Sequence, residues 1–431
     1  MPNKRKFLRK AVDKIEVSAF TSSLKSRNFR LLFFGFFISL TGIWMQWVAQ
    51  SWLLLKLTDS SVMLGFLGFA GNIPIFLLAP VGGALADRFS RRNILLVTQT
   101  LAVISSLILA ILTISENLQV WQIFLFATVT GIINAFDIPT HQAFLADIVE
   151  KKDLMNAISL NSLLINLTRI IGPTLAGIII VNWGEGWCFF INSVSFVPTI
   201  IAILLMKKIT ENKTKQRSSI IDNVIEGFKI AGEHSIIRNL LFLTALLSFV
   251  GMSFTILLPI LSDKILNAGA NGLGHLIGSM GAGALIAAFS FARYSNIKGL
   301  GNWILLCSVI FGAGLILLSF TNSFELSAAL LFMIGFAQVV QLDSANKMIQ
   351  LLASDEVRGR LMSFYVLVLM GLTPCGVLLN GWLATYIGVF NTIAVCGTLY
   401  TFLAVTVAIQ IVKHIRTGQS IQIRSVSQME T

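Results

Sequence analysis

The amino-acid sequence predicts an all-α integral membrane protein, with twelve transmembrane helices in two pseudo-symmetric bundles of six. Three observations carry that expectation. Only 12% of the residues are charged against 55% hydrophobic, and the mean hydropathy is +0.81. Soluble chains carry about 25% charged residues, so a chain this apolar must turn much of its surface to lipid. Twelve apolar runs each approach the roughly 20 residues a helix needs to cross a bilayer. The basic residues also segregate: with both termini on one side, the loops of the opposite side hold only Lys56 and Lys264 of the 32 Lys and Arg. Adding or dropping one helix would scramble that segregation, which is the pattern of cytoplasmic loops.

Taken in order, the chain opens on MPNKRKFLRKAVDKI and stays polar to Lys25. A basic start without the apolar stretch and cleavage site of a signal peptide predicts a cytoplasmic tail over 1–25. The N-terminal bundle, 26–206, has spans at 29–55, 61–85, 93–114, 118–139, 156–181 and 186–206. In 207–235, KKITENKTKQRSS is a charged linker. Ile221, Val224, Ile225 and Phe228 then recur at helical spacing, with Asp222, Glu226 and Lys229 off that stripe, which predicts an amphipathic helix at the cytoplasmic surface. The C-terminal bundle, 236–412, has spans at 236–260, 270–292, 302–320, 324–346, 361–386 and 389–412, and 413–431 is a second cytoplasmic tail. The halves echo each other. One offset sets Leu64-Gly65 over Leu273-Gly274 and Asn93 over Asn302, and a slightly shorter one sets Gly131 over Gly335 and Ser159 over Ser363.

Composition excludes several classes. The net charge of +12 does not signal a nucleic-acid binder, because the Lys and Arg sit between apolar runs rather than on one soluble face. Cys188, Cys307, Cys375 and Cys396 each lie inside an apolar run, without metal-site spacing, and read as small core residues. Four scattered histidines supply no catalytic or metal cluster, and no G-x-x-x-x-G-K-[ST] phosphate loop is present, so neither an enzyme nor a primary pump is expected. No cofactor is called for. A channel or a structural membrane protein is left open by composition.

Two motifs narrow the reading. GGALADRFSRRN, between spans 2 and 3, sets Gly83 four residues before Asp87-Arg88, followed by Arg91-Arg92. An acid and several bases at a helix end can pair across to a neighbouring helix, although the same loop could simply fix topology. In span 5, RIIGPTLAG brings Gly172, Pro173, Ala176 and Gly177 together, which permits a kink and close helix approach. The first segment resembles the signature loop of the major facilitator superfamily, with Ser90 where the family usually has glycine and Asn296 in place of the acid in the second half. The second resembles that superfamily's antiporter motif, with Ser159 and Thr168 at usual glycine positions; a plain packing kink is the alternative. SLKSRNFRLLFFGFFISLTGIWMQWVAQSWLL, NAFDIPTHQAFLADIV and SDEVRGRLMS extend the likeness along nearly the whole chain to the enterobactin-exporter-like branch.

The resemblance implies a secondary transporter working by alternating access about a site between the halves. It implies export of a siderophore or a hydrophobic or amphipathic drug across a bacterial inner membrane in antiport with protons, the chain acting as a monomer. An importer of the same fold is the nearest alternative. It also implies that Asp137, placed near the cytoplasmic end of span 4, takes a salt bridge from Arg91 and so joins Gly83, Asp87, Arg88, Arg91 and Arg92 in a gate. The superfamily's frequent arginine before the span 4 glycine is replaced by Ala127, so no proton carrier is located. Charges inside membrane helices are costly and default to functional candidates. Arg169 lies roughly 20 Å deep in span 5, where it could bind an anionic group or be tied to polar groups on span 1 or 4. Asp343 could pair with Lys347 one turn on. Gln46, Gln50, Trp44, Trp47, Asn134, Asn161, Asn166, His275, Gln338 and Gln341 are candidates for cavity walls, with helix packing the alternative for each, His275 above all.

Overall fold

The computed structural model describes residues 22–207, 220–291 and 297–417. It bears out the twelve-helix, two-bundle architecture. The first bundle is α1 (Arg27–Thr58), α2 (Ser61–Arg88), α3 (Arg91–Ile114), α4 (Val120–Ile148), α5 (Leu154–Trp183) and α6 (Glu185–Leu205). The second is α7 (Ser235–Ile265), α8 (Gly269–Phe291), α9 (Ile297–Leu318), α10 (Phe324–Leu352), α11 (Asp355–Gly371, resuming as Thr373–Ile387) and α12 (Val389–Thr417). Residues 1–21, most of the charged linker, Asn296 and the tail beyond 417 lie outside the described residues.

Several helices outrun their predicted spans. α4 continues past Pro139 to Ile148 and α10 reaches Leu352, because amphipathic turns at the membrane edge stay helical after the apolar run has ended. The turns between helices are tight. Ser26 Oγ accepts from the Phe29 backbone N–H to open α1, and Asp59 ends it in the left-handed region at φ 50°. Gly184 (φ 91°) joins α5 to α6, and Gly388 (φ 80°) joins α11 to α12 at the same place in the second half. Only glycine adopts such a conformation without cost.

The repeat also governs packing. α2 packs on α4 and α3 on α6, just as α8 packs on α10 and α9 on α12. Gly131 of α4 faces the Gly71 carbonyl of α2, and its counterpart Gly335 of α10 faces the Met280 carbonyl of α8; a Cβ at either would collide with that oxygen. Large apolar side chains such as Leu77, Val97, Val181 and Phe402 are exposed on the outside of the bundles, as expected of helices facing lipid chains.

The two bundles interlock at the end away from the basic loops. Gly65 and Gly68 of α2 meet Gly381 and Val377 of α11, and Gly177 of α5 meets Ala270 and Asn271 of α8. An ion pair between Asp59 and Lys264 joins the bundles at the same end. α7 departs from regular helix, widening over Leu247–Met252, tightening over Ser253–Leu257 and widening again over Leu261–Ile265. Pro259 lacks an N–H and crowds the preceding turn, which accounts for part of this irregularity. Opposite it, α11 breaks at Leu372, just before Thr373-Pro374. Side chains knit the two interruptions together: Ser248 Oγ donates to the Leu369 carbonyl at 2.6 Å, and Asn380 Nδ2 donates to Ser253 Oγ at 2.7 Å.

The amphipathic linker helix forms over Ile220–Glu233. It leans on α11: Glu226 pairs with Arg360, and Phe228 meets Phe364 edge-on with ring centroids 5.7 Å apart. The side chains of Ile221, Asp222, Val224 and Ile225 lie outside the described residues. Cys188, Cys307 and Cys396 are buried, whereas Cys375 is exposed, against expectation, one turn beyond the break in α11.

Candidate functional site

The α2–α3 turn is built around Arg91, which is buried at the first residue of α3. Its Nη1 lies 2.7 Å from Asp147 Oδ2 at the end of α4, and its Nη2 lies 3.4 Å from Asp87 Oδ1 at the end of α2. Its Nε donates to the Ala86 carbonyl at 3.1 Å. One guanidinium thereby staples three helix ends, which suits its rigid fork of donors. Arg92 reaches the Leu204 carbonyl on α6 at 3.0 Å, and Arg88 is exposed. Gly82, not Gly83, makes the close helix contact of this segment: a Cβ there would strike the Ala135 carbonyl, whereas one on Gly83 would meet nothing within 4 Å.

Asp137 is not the partner of Arg91. Because α4 runs on to Ile148, Asp137 lies about 11 residues, or roughly 16 Å, from that end, and Asp147 occupies the level of the α2–α3 turn. Asp137 Oδ1 instead accepts from Thr98 Oγ1 at 2.6 Å and from Gln99 Nε2 at 3.0 Å, both on α3. One turn further along α4, the His141 ring stacks on Phe36 at 3.9 Å, with Nε2 3.4 Å from Asn161 Oδ1.

Asp137 lines a cavity of about 170 Å³ within the N-terminal bundle, on which Ile256 of α7 also closes. Gln46, Trp47 and Gln50 of α1, Asn72 of α2, Gln99 and Ser106 of α3, Asn134 of α4 and Asn192 of α6 share its wall. Gln46 Oε1 accepts from Asn192 Nδ2 at 2.7 Å and from Ser106 Oγ at 2.9 Å. The structure therefore gathers the predicted Gln46, Trp47, Gln50 and Asn134, and adds Asn72, Gln99, Ser106 and Asn192. The added residues had a signal in the sequence, since each is an amide or hydroxyl within a long apolar run. The missing information was helix rotation.

Other candidates lie elsewhere. Arg169 stands near the middle of α5, its guanidinium 5.8 Å from the centroid of Trp44 and its Nη2 3.8 Å from Met280 Sδ. Its buried Nε has no hydrogen-bond partner, and no carboxylate pairs with it among the described residues. Trp44, over which Arg169 lies, touches Trp47 of the cavity wall edge to face at 6.0 Å, and Arg169 itself does not line the cavity. Gly172 packs on Trp44 and Thr41 of α1, and the Pro173 carbonyl faces Gly274 of α8, so the α5 motif is built into the interlocked interface. His275 is exposed and its ring contacts the Asn271 carbonyl of its own helix; Gly274 and Gly278 beside it do the packing. Asn166 Nδ2 likewise donates to its own helix, at Ser162. Gln338 and Gln341 are buried in the C-terminal bundle, with Gln341 accepting from Tyr400 at 2.6 Å. Asp343 is half-buried on α10, while Lys347 donates to the Phe291 carbonyl. No cluster of three or more metal-ligating side chains occurs among the described residues.

Comparison with known proteins places this geometry. A family model described as transmembrane secretion effector matches residues 17–431. The staphyloferrin A transporter of Staphylococcus aureus is 27% identical over 372 residues, covering 85% of this chain and 92% of its own. Macrolide efflux protein A of Streptococcus pyogenes is 22% identical over 392 residues, covering 88% and 96%. Among solved structures, a bacterial homolog of the human lysosomal transporter Spinster, inward-facing and occupied, superposes with a TM-score of 0.69 at 14% identity, covering 93% of this chain and 99% of its own.

Proposed function

The chain belongs to the transmembrane secretion effector family, and from that premise we propose that it is an exporter of a siderophore or an amphipathic drug, driven by proton antiport across a bacterial inner membrane. Its fold is that of a major facilitator secondary transporter, working by alternating access. The observation that carries the alternating-access part of the reading is the asymmetry of the interface. α2 with α11 and α5 with α8 interlock at the end bearing Asp59 and Lys264, while Met155, Ile158 and Ile165, on the basic-end half of α5, are exposed. The bundles are thus closed at the end away from the basic loops. Since basic loops face the cytoplasm, both termini lie inside and the site opens inward. The α5 glycines and proline lie in the closed contact, where a change of helix angle would open it. The names of the two relatives, one a staphyloferrin A transporter and one a macrolide efflux protein, support the substrate classes.

Everted membrane vesicles test the direction. Vesicles with an acidified lumen are expected to accumulate the substrate, with accumulation lost when nigericin collapses the proton gradient. Uptake confined to right-side-out vesicles would make the protein an importer.

A further inference from the structure

Many cations of this chain are spent on the protein itself. Arg91, Lys152 and Arg360 pair with carboxylates, while Arg92, Arg238 and Arg358 donate to backbone carbonyls. Of those left over, Lys25, Arg27, Arg30 and Lys207 come together at one place. All four are exposed, and none of their side chains makes a hydrogen bond or ion pair among the described residues. The Lys207 backbone N–H, just past the end of α6, donates to Asn28 Oδ1 at 3.3 Å, which sets it beside Arg27 and Arg30 at the start of α1. Lys25 belongs to a short turn, Ser23–Lys25, that leads into α1. That turn is pinned: Ser23 N–H donates to Asn156 Oδ1 of α5 at 3.1 Å, and Ser26 Oγ donates to the Ile148 carbonyl of α4 at 3.3 Å. Phe29 and Leu32 are buried beneath it. The four charges therefore stand on a fixed base.

Neighbouring acids do not offset them. α1 and α3 contain no carboxylate, and α6 has only Glu185, at its far end. On the α4–α5 side, Asp147 is taken by Arg91 and Glu150 by Lys152, and Asp153 pairs with none of the four. Next to the charges the surface is apolar. Phe34 and Ile38 continue the Arg27–Arg30 face of α1 at helical spacing, and Ile201, Leu204 and Leu205 lead along α6 towards Lys207; all five are exposed. This face of α1 is turned away from the bundle interior, since Phe36, on the opposite side, stacks on His141 of α4.

Cations without counter-charges at the membrane edge, continuous with exposed apolar side chains, match the two parts of a lipid. We propose that the base of α1 and α6 binds an anionic phospholipid of the cytoplasmic leaflet, with its phosphate between Arg27, Arg30 and Lys207 and its chains along Phe34, Ile38 and Leu205. Guanidinium forks suit phosphate oxygens, and a zwitterionic headgroup would bring a cation of its own into the cluster. Basic loops in general attract an anionic leaflet diffusely, in proportion to their total charge. The second bundle lacks this arrangement at the corresponding joint of α7 with α12. There Asn239 Nδ2 meets Gln410 Oε1 at 3.3 Å, an amide in place of the lysine, and Arg238 is spent on the Gly232 carbonyl.

The inference rests on the fold and its orientation, and is independent of the substrate and the direction of transport. Native mass spectrometry of the purified full chain, titrated in detergent with phosphatidylglycerol or phosphatidylcholine, reads the site. One phosphatidylglycerol is expected to bind saturably, and about tenfold more tightly than phosphatidylcholine. Arg30→Gln combined with Lys207→Gln should weaken phosphatidylglycerol by about 25-fold, at about fivefold for each charge. Lys229→Gln combined with Lys413→Gln removes the same charge from the cytoplasmic side of the other bundle, and should leave the affinity unchanged. All four substituted side chains are exposed, and a thermal melt checks that both proteins are folded. Equal affinity for the two lipids would overturn the proposal, as would equal losses in the two double variants, which would leave diffuse attraction alone. Displacement of the lipid by inorganic phosphate would also overturn it, in favour of a site for soluble anions.

Discussion

Arg91 and Arg169 are both cations placed deep in the structure, and their surroundings separate their roles. Arg91 has two carboxylates and two backbone carbonyls. The Asp147 side chain is 3% exposed and that of Asp87 43%, so the bond to Asp147 is the shielded one. Breaking a buried pair from one side costs about 3–5 kcal/mol, and an exposed pair contributes under about 1 kcal/mol. Asp147→Asn is therefore expected to lower the unfolding midpoint of the purified protein far more than Asp87→Asn. Equal losses would show that the burial difference does not govern the lock. Arg169 has a ring face and a sulfur in place of a carboxylate. If its charge is kept for transport, Arg169→Met should raise thermal stability by about 1–3 kcal/mol, as apolar replacement of buried ionic groups often does, while depressing transport. A drop in stability would identify it as a structural tie. The residue types at both sites were legible in the sequence, but the partner of Arg91 was not. The predicted end of span 4 at 139 put Asp137 at the mouth, and the extra turns of α4 exchanged it for Asp147.

At the scale of elements, small residues decide how closely helices approach. Gly82 abuts the Ala135 carbonyl and Gly83 faces open space, so the neighbours make a controlled pair. Gly82→Ala should cost about 1–3 kcal/mol through overpacking, whereas Gly83→Ala should cost nothing or stabilise slightly by improved helix propensity. Comparable midpoints for the two variants in a thermal melt would refute the contact. The same reasoning links Gly131 and Gly335, whose alignment was already visible between the halves; each lets a helix lie directly on the backbone of its partner. Irregularity in α7 was not visible beforehand. Its apolar run reads as one plain span, and only contact between Ser248, Ser253 and α11 shows where the freed backbone and side-chain groups are satisfied.

For the whole molecule, the arrangement of closed and open ends makes topology and conformation testable together. Single cysteines at Asp59, Glu116 and Glu325 should react with an impermeant thiol reagent added outside intact cells, and a cysteine at Ser90 should not. Outside labelling at Ser90 would invert the chain in the membrane. Cysteines placed together at Asp59 and Lys264, which form an ion pair across the bundles, should crosslink under oxidation and arrest transport, with activity restored by reductant. Transport undiminished by complete crosslinking would mean that the bundles need not part at that end.

The sequence by itself determined the number of spans, the division into two halves, the side bearing the basic loops and the set of polar residues within the membrane. These follow from composition and length along the chain, because a bilayer imposes its thickness and its intolerance of charge on every segment independently. Tertiary structure alone decided which acid meets Arg91, that His275 faces outward, and that Gln50, Asn72 and Gln99 line one cavity with Asp137. Those outcomes depend on the rotation of each helix about its axis and on where its last turn stops. Both are set by packing against neighbours distant in sequence, so no local pattern encodes them.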